Sequence, residues 1–274
     1  METRKTQEAA FHDHLRAEEP SQRYTQEVED RTRDNPDWSN FKFYSIERSS
    51  RAYTDAWITR HVPGKRVLDY GCGNGDDVIF AVEQGATEAF GIDISAVSIA
   101  NATKKAADKG LASRAKFVVM DAEKLGFPDD FFDVVIVYGV LHHMEFEAAM
   151  GEIARVLKPG GAAICTEALA HNPVIAWYRR RTPELRTDWE VQHILRRKNI
   201  RDARRWFGDV KFRTYHLATL AAVPLRHSRL FGPVLRGLGA IDSMLLRIPL
   251  LRWWAWHVVF ELSNPRSKPT PRTL

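Results

Sequence analysis

The stretch "KRVLDYGCGNGDDVIFAVEQG", Lys65 to Gly85, decides the fold. Its opening "RVLDYG" is a run of β-formers that reads as a buried strand. Glycines at 71, 73 and 75 then interrupt the chain, and "DDVIFAVEQG" reads as a helix stopped by Gly85. Strand, glycine turn and helix, in that order, make the first unit of a parallel sheet. In such sheets ligands sit beyond the carboxyl ends of the strands, beside the first one, which is where these glycines lie.

The same rhythm continues outward. "EAFGIDI" reads as a second strand, and "SAVSIANATKKAADKG" as a helix capped by Ser95 and stopped by Gly110. "AKFVVMD", "FDVVIVYG" and "AAICTEAL" follow as strands three to five, with the helix "FEAAMGEIARVLKPGG" before the last. Short β-branched runs alternating with helices give an α/β fold: a doubly wound, mostly parallel sheet with helices on both faces. Towards the N-terminus, residues 1–40 predict one helix around Phe11 and Leu15 and a turn at "RDNPDWSN". Residues 41–62 predict a single amphipathic helix presenting Phe43, Ile46, Tyr53, Trp57 and Ile58. After Ala170 the chain turns basic and helical, with breaks at Pro183, Pro224, Pro233 and Pro249, a strand in "DVKFRTYHL" and a final strand in "WWAWHVVFEL". The expected division is an N-terminal helical lid at 1–62, a ligand-binding core at 63–170, a basic, aromatic helical cap with the last strands at 171–262, and a flexible tail at 263–274.

The chain of 274 residues is 44% hydrophobic and 27% charged, values of a globular protein rather than a disordered one. Its two cysteines, Cys72 and Cys165, fall in predicted core segments of different elements, which is no disulfide framework and fits a reducing cytoplasm. The N-terminus lacks a signal-peptide pattern, and "WWAWHVVF" is too short to span a bilayer as a helix. Charge is uneven: residues 1–174 hold 20 Lys and Arg against 28 Asp and Glu, whereas residues 175–274 hold 20 against 7. An acidic front and a basic back suggest one half facing a neutral or positive ligand and the other an anionic surface.

The glycine loop narrows the ligand. A dinucleotide fingerprint would place glycine at 76, where Asp76 stands, and the Lys-Ser/Thr of a phosphate-binding P-loop is missing. Asp76 and Asp77 at the start of the helix cap it but repel a phosphate. The expected ligand is therefore nucleoside-like, without phosphate and cationic, a description that S-adenosylmethionine meets. Asp93 ends the second strand, placed for ribose hydroxyls; Asp121 ends the third, placed for an adenine amino group, with the Ala122 N–H beside it.

Together, "VLDYGCGNG", "GIDIS", "DAEKLGFPDDFFDVVIVYGVLHH" and "VLKPGG" resemble the class I S-adenosylmethionine-dependent methyltransferases, nearest the small-molecule group that includes the ubiquinone and menaquinone biosynthesis enzymes. The resemblance covers about Lys65 to Glu167. It implies a seven-stranded Rossmann-like sheet and an enzyme that moves the methyl of S-adenosylmethionine, leaving S-adenosylhomocysteine. By match, Asp69 and the loop Gly71, Cys72, Gly73, Asn74 and Gly75 hold the methionine part. Asp93 and Ile94 hold the ribose, Asp121, Ala122 and Glu123 the adenine, and Tyr138 lines the pocket near the sulfonium. An N-terminal helix often serves as lid in this family, which makes Tyr44 and Tyr53 candidate contacts.

The expected chemistry is in-line attack on the sulfonium methyl by an oxygen, carbon or nitrogen of an aromatic or lipophilic acceptor. His142, His143 and His171 are the candidate bases, with His143 or His171 favoured, and no metal is expected. Trp177, Tyr178, Trp189, Phe231 and Trp253 are candidates to wall the acceptor pocket. The basic half leaves further options: a lipid-directed enzyme in peripheral contact with an anionic membrane through "LRGLGAIDSMLLRIPLLRWWAW", an RNA-directed enzyme gripping a backbone through "YRRR", "LRRK" and "ARRWF", or a non-catalytic cofactor-binding protein. Nucleic acid is the disfavoured partner, because "YGVL" stands where base N-methylating enzymes carry an "NPPY"-type motif. A cytoplasmic protein, with membrane association and homo-oligomerisation left open, is the expectation.

Overall fold

The computed structural model describes residues 2–18 and 24–266. In chain order the elements are α1 (Glu2–Glu18), α2 (Gln26–Thr32), α3 (Phe41–Tyr44), α4 (Arg48–His61), β1 (Arg66–Tyr70), α5 (Asp76–Glu83), β2 (Glu88–Asp93), α6 (Ala96–Asp108) and β3 (Ala115–Val119). There follow β4 (Phe132–Tyr138), α7 (Phe146–Val156), β5 (Leu157–Ala168), α8 (Pro173–Arg181), α9 (Asp188–His193), α10 (Arg197–Asp202), β6 (Phe207–Tyr215), α11 (Phe231–Leu245) and β7 (His257–Pro265).

Seven strands form one sheet in the order β3-β2-β1-β4-β5-β7-β6. β1 to β5 are parallel, and β7 runs antiparallel between β5 and β6. Because β1 lies between β2 and β4, the strand order reverses beside it, and the loop after β1 opens at that switch point. β1 and β4 are largely apolar, as strands covered on both faces must be: Val67, Leu68, Tyr70 and Val134 to Val137 are buried. One face is packed by α7, with Met150 and Ile153, together with Trp206 and Trp253. The other is packed by Trp57 and Ile58 of α4 and by α5 and α6. Burying each such large side chain stabilises the fold by roughly 1.5–3 kcal/mol.

Three differences from the sequence expectation bear on the site. The helix expected over 41–62 is broken at Ser45–Glu47, where the Ser45 hydroxyl donates to the Lys42 carbonyl at 2.7 Å and offers the backbone a non-helical partner. The break delivers Glu47 to the sheet's carboxyl edge rather than to a helix face. Among the described residues of the first forty there are two α-helices, α1 and α2, where one is expected. Ser263, Asn264 and Pro265 belong to β7 instead of opening a tail, and residues 267–274 of that expected tail lie outside the described residues.

Candidate active site

The loop after β1 is held in shape by its own backbone. Gly71 has φ 77°, and a Cβ there would come within 2.3 Å of Val140 Cγ2, so only glycine fits. The Cys72 N–H donates to the Ile92 carbonyl at 2.8 Å, and the Gly73 N–H to Asp93 Oδ2 at 2.8 Å. Asp93 Oδ1 accepts from the Ser95 N–H at 2.9 Å, so this carboxylate bridges the loops after β1 and β2. Asn74 and Gly75, expected to touch the ligand, build the loop instead. Asn74 is fully buried with its Oδ1 accepting from Asn101, and Gly75 is a left-handed cap pressed against Phe117 and Ala102.

Asp76 and Asp77 correct the sequence argument. Lys105 neutralises Asp76, and Arg51 grips both oxygens of Asp77, so these acids tie α6 and α4 to the start of α5 rather than confronting a ligand with free charge. The uncompensated carboxylate is Asp69, at the end of β1. It is 2% exposed, and its Oδ2 has no hydrogen-bond partner. Burial, then the charge of Asp77, push its pKa well above the ordinary carboxylate range. A buried acid with an empty oxygen calls for a cation with N–H donors, so the residues fit the ammonium of an amino-acid nucleoside and not a phosphate.

Two cavities meet at this edge, sharing His12, Arg16, Gly71, Tyr138, Gly139 and His143. The smaller, about 110 Å³, has Gly73, Asp93, Ile94, Asp121, Ala122 and Glu123 on its floor. Its roof is α1, which turns Arg4, Glu8, His12 and Arg16 inward at every fourth position, with Lys5 beside them. Arg4 pairs with Glu123, Lys5 with Asp121 and Glu123, and Glu8 with His143 Nδ1 at 2.9 Å. Burial alone would lower the His143 pKa, but its hydrogen bond to Glu8 and the nearby acids leave it raised.

The larger cavity, about 700 Å³, is walled by Trp38, Phe41, Tyr44 and Phe231, with Asp69, Cys72 and Tyr138 towards the smaller one. His142 and Glu167 stand in its wall. His142 Nδ1 is 2.7 Å from Glu167 Oε2, while Glu167 Oε1 accepts the N–H groups of Val140 and Leu141 at 2.7 Å each. Glu47 is also there, accepting from the Tyr138 hydroxyl at 2.9 Å and 3.2 Å from His257 Nε2. Burial pushes the Glu47 pKa up to about 8 against the opposing effects of Tyr138 and Arg51.

The structure therefore gathers Asp69, Gly71, Cys72, Gly73, Asp93, Ile94, Asp121, Ala122, Glu123, Tyr138, Tyr44, His142 and His143 around two joined cavities. His171 is exposed and lines neither, and Tyr53 turns away to hydrogen-bond Glu261. Of the five aromatics expected in the acceptor wall only Phe231 is there: Trp177 is exposed, Tyr178 packs on Phe43, Trp189 lies under Arg4, and Trp253 is buried against the sheet. The arginine clusters are partly spent inside the protein, with Arg179 bonded to the Leu169 carbonyl, Arg197 over Trp253 and Arg205 paired with Glu147. Sequence reading missed the α1 face, although its four-residue period is visible, and missed Glu47, Glu167 and His257, which no local pattern announces.

Residues 67–161 match the family described as methyltransferase domain. A ubiquinone/menaquinone biosynthesis C-methyltransferase of Ectopseudomonas mendocina is 42% identical over 118 residues, 42% of this chain and 46% of that relative. A sterol 24-C-methyltransferase of Gibberella zeae is 38% identical over 100 residues, 36% of this chain and 26% of the relative. The chain thus spans half or less of the length of the curated relatives it matches. Among solved structures, an N-methyltransferase of Haemonchus contortus in complex with phosphomonomethylethanolamine and S-adenosylhomocysteine superposes with a TM-score of 0.60 at 19% identity, covering 87% of this chain and 60% of that one; this likeness is one of fold.

Proposed function

The chain carries a class I S-adenosylmethionine-dependent methyltransferase domain, and from that premise we propose that the whole protein methylates a small, largely apolar acceptor held in the larger cavity. The observation that carries this reading is the His142–Glu167 pair in the wall of that cavity, His142 in the turn after β4 and Glu167 near the end of β5. When bound, S-adenosylmethionine supplies an electrophilic methyl on a sulfonium. Everything else falls to the protein's own side chains.

Asp69 Oδ2 and the Gly71–Gly73 backbone hold the amino-acid end, Asp93 the ribose, and Asp121 the adenine amino group. Arg4 and Lys5 occupy that last position now; 110 Å³ is below the roughly 300–1,000 Å³ of a small-molecule site, so α1 withdraws these side chains to admit a nucleoside. Trp38, Phe41, Tyr44 and Phe231 exclude water around the acceptor. Glu167 takes the Nδ1 proton of His142 as a hydrogen bond, which fixes the tautomer and leaves Nε2 with its lone pair for the proton that the acceptor loses. His142 is therefore the proposed base, since His143 is bonded to Glu8 on the lid and His171 lies outside the cavity.

The test has two arms. Calorimetry with S-adenosylhomocysteine checks the cofactor cleft, and no binding would remove the reading altogether. Transfer of labelled methyl to a panel of quinols, phenols, isoprenoids and aliphatic amines checks the chamber. Binding of S-adenosylhomocysteine without transfer to any of these would remove the apolar-acceptor assignment alone.

A further inference from the structure

The side chains on the outer face of α11 are arranged for a surface of a particular kind. Leu235, Asp242 and the partly buried Val234 and Leu238 turn inward to the cluster around Trp256. Gly237, Ile241 and Met244 follow one another at helical spacing along the outside, with Arg236, Ala240 and Ser243 beside them, and Arg247 and Ile248 follow, exposed, in the turn after the helix. The helix and the turn after it thus present a core-facing strip, an exposed apolar strip and two exposed arginines. Leu230 at its start and Leu250 and Trp254 beyond its end extend the exposed strip. Their exposures, 61%, 78% and 51%, with 61% for Met244, are those of side chains standing free of the protein.

Charge on this face is of one sign. From Ala218 to Trp256 the sole acid is Asp242, and it is buried, accepting hydrogen bonds from the backbone of Leu217, Ala218 and Thr219. Arg229, Arg236 and Arg247 are exposed and form no ion pair among the described residues. The helix is too short to cross a bilayer, and no described helix is long and apolar enough to do so. A second copy of the chain is the poorer occupant, because a two-fold contact would set these arginines against their own counterparts. A layer of anionic headgroups over acyl chains satisfies the apolar strip and the arginines together.

We propose that the exposed face of α11, with Leu230, Leu250 and Trp254, is a docking surface for an anionic lipid layer, arginines to the headgroups and the apolar strip below them. Phe231, the first residue of α11, lines the larger cavity, so docking brings that cavity to the lipid surface. Vesicle binding needs no cofactor or acceptor, and this inference stands or falls separately from the methyl-transfer reading.

The full chain is floated with vesicles of phosphatidylcholine alone and with vesicles containing phosphatidylglycerol. Binding is expected to the second kind, weakening with salt. Each arginine brought near such a surface contributes about 1 kcal/mol, about a fivefold change in partitioning. R236Q with R247Q should therefore weaken binding about 25-fold, and L250D with W254D should abolish it. These side chains are on the outside, so unchanged affinity for S-adenosylhomocysteine and an unchanged melting temperature confirm folding. Absence of wild-type binding to anionic vesicles at low salt overturns the proposal. So does binding that survives both double variants, or a dimer in light scattering that L250D disrupts while vesicles remain unbound.

Discussion

The two cavities that meet at Tyr138 are built on opposite plans. Under α1, charge answers charge: Arg4 with Glu123, Lys5 with Asp121, Glu8 with His143, and little free volume remains. Beside it the larger cavity is aromatic and open, and although most of its polar groups are paired, three of its polar atoms are not: Glu47 Oε1, Asp69 Oδ2 and His257 Nδ1 are buried without hydrogen-bond partners. Burying a polar group without a partner costs of the order of 1–3 kcal/mol, so a native wall keeps such atoms where a ligand completes them. The smaller cavity is a closed latch, and the larger one is a receptor.

The strongest test of that contrast is removal of the base. H142A should lower methyl transfer by about 10²–10⁴-fold with S-adenosylhomocysteine affinity unchanged, and E167Q should give a smaller loss in the same direction. Unaltered turnover in H142A would return the larger cavity to a mere acceptor wall. Next is Asp69: D69N should weaken S-adenosylhomocysteine by about tenfold or more, since a charge-assisted hydrogen bond contributes about 1.5–3 kcal/mol. Loss of stability without loss of affinity would show that Asp69 braces the loop.

The latch predicts an effect of opposite sign. K5M with R4M should tighten S-adenosylhomocysteine a few-fold, each partly exposed pair contributing about 0.2–1 kcal/mol that binding no longer has to overcome. Weaker binding in the double variant would mean that these cations help the ligand. The smallest effect concerns pH. The Glu47 carboxyl, at about 8 when folded against an ordinary 4.5, binds a proton in the folded protein that the unfolded chain has lost, so stability declines as pH rises from 4.5 through 8. E47Q should remove this decline, so its melting temperature relative to the wild type should climb steadily between about pH 5 and pH 8.

His143 and Glu8 sharpen the same point by amide exchange of α1. The His143 pKa is raised above its ordinary 6.5, so its share of the latch is full below that value and fades as pH rises through the shifted one. The Glu8 pKa is depressed below 4.5, so its share is present above 4.5 and fades as pH falls through the depressed value. The His12 pKa is pushed well below 6.5 by burial and by the charge of His143. Protection of α1 should therefore be greatest from pH 4.5 to 6.5 and decline towards pH 9.

Sequence alone determined the parallel sheet, the glycine loop and the acids Asp69, Asp93 and Asp121 at the strand ends. Those are local matters: the period of apolar residues sets the element, glycine sets the turn, and a parallel sheet brings its strand ends to one edge. Tertiary structure decided which charges remain free. Asp76 and Asp77 look exposed in the chain and are matched in space by Lys105 and Arg51, one from the following helix and one from the preceding helix. Glu167 becomes the partner of His142 across 25 residues, and Glu47 reaches Tyr138 across 91. Of two neighbouring histidines, the fold pairs one with an acid in the open cavity and the other with an acid on the lid. A residue's type limits the chemistry it can do, but the role depends on its partner, and partners are fixed by packing between elements far apart in the chain.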